Sequence, residues 1–276
     1  MPLTDDVMTG LIEAVRDAAR TEILPRFRNL SADQIDTKSG PDDLVTVADR
    51  AAEARLTAAA QRLLPGALVV GEEGVAEDPT ILDRFAEAEL AVVIDPVDGT
   101  WNFANGLANF GVILAVVEGG RTIFGLLYDP VLDDWITATP GGGAWFCRPD
   151  AAPRRLSGPP ARPRDRWQAF VPLRLYVPEH RATLWQQAQG FGDAFTLRCS
   201  CHEYRMMALG HADLMLAPVV KPWDHAAGVL IVEECGGAVW SGGRPGYRPA
   251  GPAHPLMVMG RAEAGEDPAL WLPAGV

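Results

Sequence analysis

Apolar residues recur at helical spacing near the start of the chain: Val7, Leu11, Val15 and Ala18, then Ile23, Leu24 and Phe27, with Thr4 placed as an N-cap. That spacing predicts an amphipathic helix within 4–28. A second helical pattern runs from Ala51 to Leu64 and is stopped by Pro65-Gly66. The period then changes. ALVVG (67–71) and LAVVID (90–95) read as short buried strands, while FGVILAVVE and TIFGLLYDP flank Gly119-Gly120, a hairpin signal. The glycine run 141–143 closes this region.

Residues 148–166, RPDAAPRRLSGPPARPRDR, break the pattern with proline and arginine and read as a solvated connection between two halves. Beyond it the signals alternate: a strand near 167–171, helices over 179–190 and from His202 to Leu209, a strand at 212–217, and a helix opening at Trp223-Asp224 and ending at Gly236-Gly237. Alternation of this kind predicts sheets covered by helices, an α/β architecture. The expected division is an N-terminal α+β half, 1–150, and a C-terminal α/β half, 151–276.

Composition narrows the function. The 276 residues are 48% hydrophobic and 22% charged, enough to bury a full core. Lys and Arg number 24 against 36 Asp and Glu, a formal charge of −12, which opposes extended contact with nucleic acid or with an anionic membrane. A small ligand held through metal ions stays compatible with that charge. No run reaches the ~18–20 apolar residues of a membrane span, and the acidic MPLTDDVMTG is unlike a basic signal region, so the expected location is cytoplasmic. The four cysteines, Cys147, Cys199, Cys201 and Cys235, lack zinc-site spacing and read as reduced, semi-buried thiols.

Carboxylates carry the candidate chemistry. In IDPVDGTWNF (94–103), Asp95 ends a buried strand, where ligands sit in layered α/β proteins, and Asp98 follows a turn built by Pro96. Glu72 and Glu73 also follow a buried strand, and Asp224 opens a helix after Pro222-Trp223. Either aspartate alone reads as a turn or helix cap. If these strand and helix ends converge, mutual repulsion raises some of the carboxylate pKa values, and a divalent cation relieves the conflict. All-oxygen donors suit Mg²⁺ or Mn²⁺ rather than zinc.

GEE, then DPVDGTWNFANG, then PWDHAAG followed by EECGG, with KSGPDDLVTVAD upstream, resemble in order and separation the inositol monophosphatase family of metal-dependent phosphatases. The resemblance extends from about residue 8 to 260. It implies a five-layer αβαβα sandwich, a homodimer, and hydrolysis of a small phosphorylated metabolite by water activated at Mg²⁺, with lithium inhibition. It also implies site roles. Glu72, Asp95 and the Val97 carbonyl correspond to ligands of a first ion, and Asp95, Asp98 and Asp224 to ligands of a second, with Asp95 bridging. A third, looser cation falls near Glu72 and Glu73. The Gly99 and Thr100 backbone N–H groups correspond to the phosphate cradle, at a helix start that favours an anion. The Thr100 hydroxyl orients water, with Asp49 and Glu72 as its proton-accepting partners; without the family, Asp49 reads as a cap of the helix that follows.

The substrate is less constrained. Ala217 stands where inositol-hydrolysing relatives carry a glutamate for ring hydroxyls, and the segment that reads Gly-Ser-Ala-Ala in the family is here Cys199-Ser-Cys-His-Glu-Tyr-Arg205. Glu203 is the nearest compensating acceptor, and Asp224 also borders the expected substrate pocket. His202 and Arg205 suit either a pocket wall or a helix interface. Histidinol phosphate, fructose bisphosphate and a nucleotide 3′-phosphate remain open beside inositol phosphate. The opposing reading is a protein that keeps the fold and acts by binding a partner, as some relatives involved in bacterial transcription do.

Overall fold

The computed structural model describes residues 3–38, 40 and 44–262; of the family-like stretch KSGPDDLVTVAD, Ser39 and residues 41–43 lie outside the described residues. The first helix, α1 (Asp5–Ala18), starts as its spacing predicts, with Thr4 accepting from the Val7 N–H, and runs on through single π and 3₁₀ turns to Arg26. A short ribbon, β1 (Ile35–Thr37) paired with β2 (Leu44–Thr46), precedes α2 (Val47–Leu63). The second helix begins four residues before the apolar pattern does. Thr46 and Asp49 form a capping box there, each accepting from the other's end of the first turn.

A seven-stranded sheet follows, in the order β3 (Leu68–Gly71), β4 (Leu90–Asp98), β5 (Gly111–Glu118), β6 (Arg121–Asp129), β7 (Asp134–Thr139), β8 (Gly143–Cys147) and β9 (Arg154–Arg155). Two short helices, α3 (Glu72–Glu77) and α4 (Ile81–Glu87), connect β3 to β4, and α5 (Thr100–Ala104) follows β4. The arginine-rich connection therefore includes Arg154 and Arg155 as an exposed edge strand rather than running wholly as solvated linker.

The second sheet has six strands, in the order β11 (Asp193–Phe195), β10 (Gln168–Phe170), β12 (Leu214–Ala217), β15 (Leu256–Met259), β13 (Ala238–Ser241) and β14 (Arg244–Pro245). Its helices are α6 (Pro178–Ala188), α7 (Ser200–Ala208) and α8 (Pro222–Glu234). Three buried clusters define the layering. Residues of α1 and α2 pack with Val92, Ile94 and Val112 on one face of the large sheet. The α7 and α8 residues Met207, Ala226 and Ile231 fill the space between that sheet's other face and the second sheet. Leu184 and Ala188 of α6 cover the second sheet's outer face with Trp167 and Met257. The fold is thus a five-layer αβαβα sandwich. Among the described residues no helix is long and apolar enough to cross a membrane.

The central helix layer sits hard against the large sheet. A Cβ on Gly125 of β6 would lie 2.8 Å from the Ala227 carbonyl of α8, so only glycine permits that approach. Arg205 of α7 then ties the layer across: its Nη1 donates to the Leu127 carbonyl at 3.0 Å and its Nη2 pairs with the Asp134 carboxylate, both side chains buried. Removing one member of a buried ion pair strands the other charge, which costs about 3–5 kcal/mol, whereas an apolar pair of similar volume can be nearly neutral. Arg205→Met should therefore lower stability by that amount in urea unfolding, and Arg205→Met with Asp134→Leu should recover much of it. A double variant as unstable as the single one would refute the ion-pair account.

Candidate metal centre

The site begins in β4. Its ladder with β5 pairs Asp95 with Ile113 and Asp98 with Gly111, so three steps on one strand meet two on the other. That extra residue is a bulge, and it accommodates Pro96, which has no N–H for the ladder. The bulge also resets side-chain alternation. Ala91 and Val93 pack toward the central helix layer and Val97 toward the opposite face, while Asp98 returns to the central side, where it meets α7. Without the bulge, residues three apart would point to opposite faces.

Asp95, Asp98 and Asp224 each place a carboxylate oxygen within 4.8 Å of the others'. Asp224 arrives from the first turn of α8, behind Pro222. Burial pushes the Asp95 pKa well up, and the charges that add to it are Glu72, Asp98, Asp224 and Asp49, all carboxylates. Asp224 is raised by burial and then by Asp98 and Glu72, with Lys221 and a hydrogen bond to Asp95 opposing. For Asp98 burial leads, but hydrogen bonds from Cys201, Cys199 and Ser200 hold the value to about 6. A buried set of oxygen donors that repel one another fits a hard divalent cation such as Mg²⁺ or Mn²⁺.

The N-terminus of α7 is built onto Asp98. The Cys201 N–H and the Cys199 thiol, at 3.1 Å, both donate to Asp98 Oδ2. Burial and the Asp98 charge push the Cys199 pKa well up, so this thiol keeps its proton and remains a donor. No cue in the spacing of two cysteines announces that role.

Glu72 opens α3, directly after β3. Lys38 Nζ takes Glu72 Oε1 at 2.8 Å and Glu73 Oε1 at 2.6 Å, so a cation distant in sequence meets this pair of acids. Among the described residues the three-carboxylate group does not include Glu72, though its charge is the largest that Asp95 feels. Glu53 of α2 accepts from the Glu73 and Gly74 N–H groups at 2.8 and 2.7 Å and fixes the start of α3. Glu53 sits one turn from Asp49 on α2, and no spacing in the sequence ties it to residues 73 and 74.

Thr100 lies where β4 turns into α5. Its hydroxyl is 3.1 Å from Asp49 Oδ1 and 2.9 Å from the Val97 carbonyl, and the Val97 N–H donates to Asp95 Oδ1 at 3.1 Å. Asp49 uses its other oxygen in the α2 capping box, so cap and Thr100 partner are one residue. Burial pushes Asp49 to about 7 despite the opposing Thr46 hydrogen bond. Gly99, at φ +87°, turns the chain; a Cβ there would meet the Asn109 carbonyl at 3.0 Å and Cys199 Cβ at 3.2 Å.

A cavity of about 1090 Å³ opens over Glu72, Asp98 and Asp224, and Ala217 and Glu203 reach its wall. Glu203 Oε1 accepts from the Thr196 hydroxyl at 2.8 Å and the Leu197 N–H at 2.7 Å, which commits it to loop 196–198. His202 bonds instead to the Phe110 carbonyl just before β5, at 3.0 Å, and Arg205 to the Leu127 carbonyl of β6.

A model of the inositol monophosphatase family matches residues 4–255. An inositol-1-monophosphatase of Bacillus subtilis is 31% identical over 215 residues, covering 74% of each chain. The Nus factor SuhB of Salmonella typhimurium is 30% identical over 271 residues, 94% of this chain and 91% of its own. The solved inositol monophosphatase of Zymomonas mobilis superposes with a TM-score of 0.75 at 25% identity, over 96% of both chains.

The raised carboxylates set a pH dependence. Asp98 and Asp49 titrate at about 6 and about 7 when folded, against an ordinary 3.8. A carboxylate raised on folding binds more protons folded than unfolded; its share of stability is complete below the unfolded value and lost as pH rises through the folded one. The metal-free protein should therefore melt at higher temperature as pH falls from about 8 to about 5, with a smaller slope in Asp49→Asn. A divalent cation needs the ionised forms, so the rise in Tm on adding Mg²⁺ should grow with pH over the same window. A metal-free Tm that falls on acidification in that window would contradict the arrangement.

Proposed function

The chain belongs to the inositol monophosphatase family, and we propose on that footing that it is a Mg²⁺-dependent phosphomonoesterase acting on a small phosphorylated metabolite. The observation that carries the reading is the meeting of Asp95, Asp98 and Asp224 beside a Thr100 hydroxyl already joined to Asp49. Asp95, Asp98 and Asp224 would hold one Mg²⁺, and Asp95 with Glu72 and the Val97 carbonyl a second; Mn²⁺ has the same donor preference. When bound, such ions polarise the phosphoryl oxygens, acidify a water and stabilise the leaving alkoxide.

The chain's own groups do the rest. The Gly99 and Thr100 N–H groups receive the phosphate oxygens. Thr100, held between Asp49 and the Val97 carbonyl, orients the attacking water, and Asp49, at about 7, accepts the proton through that hydroxyl. Glu72 stands as a further acceptor. Lys38 would give up Glu72 to a cation there, leaving Glu73 as its partner.

The same reading extends to a homodimer in the cytoplasm, lithium inhibition, and halves of 1–150 and 151–276 that meet at the site, with Asp224 supplied by the second. A protein that acted only by binding, as the Nus factor relative's name offers, would have no use for this carboxylate set together with Thr100 and Asp49. The partner proposed is therefore a small phosphate ester rather than nucleic acid.

Two outcomes follow for activity. Phosphate release from a panel of monoesters should require Mg²⁺, and Asp95→Asn should lower kcat/KM more than about tenfold further than Asp98→Asn, because Asp95 would serve as a ligand to both ions. Near-normal turnover in both variants would reject the ligand assignment.

Ala217 bears on the substrate. It is buried at the cavity wall and supplies no acceptor, and Glu203 is engaged by Thr196 and Leu197. A hydrogen bond to a charged group is worth roughly 1.5–3 kcal/mol, about one to two orders of magnitude in kcat/KM when made in the transition state. myo-Inositol 1-phosphate should therefore be poorer than at least one other monoester, and Ala217→Glu should improve it. An inositol ester that is already the best wild-type substrate, and that gains nothing from Ala217→Glu, would overturn this.

A further inference from the structure

The lining of the cavity over the acidic triad divides by chemistry. Beside the carboxylates runs an apolar surface drawn from several elements: Val75 of α3, Leu82 of α4, Met215 and Ala217 of β12, Leu175 of the 3₁₀ turn Leu173–Leu175, and Val219 of the loop between β12 and α8. Leu175 and Val219 leave 37% and 47% of their surface in water. A single exposed apolar residue is ordinary. Two at the opening of one cavity, continuous with an apolar lining, mark a surface that a ligand covers.

The polar groups of the same lining are already engaged. Glu72 pairs with Lys38, Asp98 takes the α7 N-terminus, Asp224 belongs to the triad, and Glu203 accepts from Thr196 and Leu197. The Thr196 hydroxyl in turn accepts from the Arg198 N–H at 3.1 Å, and His225 gives one ring nitrogen to the Tyr204 hydroxyl at 2.9 Å. The cations are occupied too. Arg198 lies over Trp101, 3.8 Å from the ring centroid, Lys221 lies over Trp223 at 5.8 Å, and Arg174 has a partner of its own. A polyol seated here would lose water from each hydroxyl and find few uncommitted side-chain acceptors, and every hydrogen bond left unmade is costly. An apolar body loses no hydrogen bond on leaving water and is favoured by burial.

We propose that the alcohol carried by the phosphate is apolar, an alkyl or arylalkyl body that lies along Val75, Leu82 and Met215 and reaches Leu175 and Val219 at the opening. The proposal rests on the phosphomonoesterase reading and specifies the half of the substrate that the metal centre does not contact. At about 1090 Å³ the cavity stands just above the ~300–1,000 Å³ typical of ligand pockets, which gives room for a body larger than a polyol ring.

A homologous series tests it: butyl, hexyl and octyl phosphate, whose leaving alcohols have nearly the same reactivity, with glycerol 1-phosphate as the polar reference. In Mg²⁺, kcat/KM should rise about threefold per buried methylene, hence by about tenfold or more from butyl to octyl, and octyl phosphate should exceed glycerol 1-phosphate. Leu175→Ser and Val219→Ser alter exposed positions, where folding tolerates a polar residue, and each should reduce the butyl-to-octyl gain by about threefold or more. Calorimetric titration of butylphosphonate and octylphosphonate, which cannot be hydrolysed, into the Mg²⁺-loaded protein gives a readout independent of turnover. Octylphosphonate should bind about tenfold tighter and with a more negative heat-capacity change, the mark of apolar burial. If no ester is hydrolysed, glycerol 1-phosphate included, while octylphosphonate still binds more tightly, the phosphatase reading fails and the apolar ligand surface stands. A series that is flat in binding, or flat in kcat/KM when the esters are turned over, or a gain that both serine variants leave intact, overturns the proposal.

Discussion

The constraint on which the rest of this protein depends is the repulsion among Asp95, Asp98 and Asp224, gathered within 4.8 Å in a buried place. Bringing charged carboxylates out of water and together is costly, and it persists only where surrounding structure over-determines it. Each aspartate is accordingly fixed by a different device. Asp95 ends a run of β4 pinned between β3 and β5, Asp98 is aimed by the bulge around Pro96 and capped by α7, and Asp224 rides the first turn of α8. These elements come from the large sheet and from the helix layer packed between it and the second sheet. Packing of the whole sandwich is thus what keeps the acids together.

That dependence explains why the central helix layer is so tightly bound to the large sheet. Gly125 lets α8 approach β6 backbone to backbone, and Arg205 fastens α7 to β6 and β7. A slack of one ångström in either helix would move Asp224 or the donors to Asp98 relative to Asp95. Interiors packed at crystal-like density resist such slack, so the most buried layer is also the one that sets the site.

What the sequence disclosed divides along the same physical line. Local chemistry was legible: Thr4 as a cap, the Gly119-Gly120 hairpin, the strand run before Asp95, and the motif that joins Asp95 and Asp98 to Asp224. Features made by distant partners were not. Lys38 meets Glu72 and Glu73, Glu53 caps α3, and Cys199 and Cys201 serve Asp98 across about a hundred positions, and none of these pairings has a periodic or spacing signature. The strict alternation of burial in β7 is a strand pattern, and Arg154-Arg155 pairs with β8 although the prolines around it read as linker. Asp49 shows that a capping role and a site role need not compete, since one carboxylate oxygen serves each.

The segment 196–203 shows how metal geometry and ligand preference become one problem. Glu203 holds the loop from inside, Arg198 takes a left-handed backbone that costs an L-residue about 1–2 kcal/mol, and the next residue, Cys199, donates to Asp98. A side chain that faces the cavity from this loop is therefore one residue away from a donor to the acidic triad. Where the family pattern places small residues this chain has charged and polar ones, and Asn102, a residue of the aspartate motif itself, ties the Leu197 carbonyl to the Asn109 carbonyl beside Gly99. The same amide thus braces both the turn of Gly99 and the loop of Arg198, so a change in what the cavity binds has to be accommodated by the bracing before it can spare the chemistry.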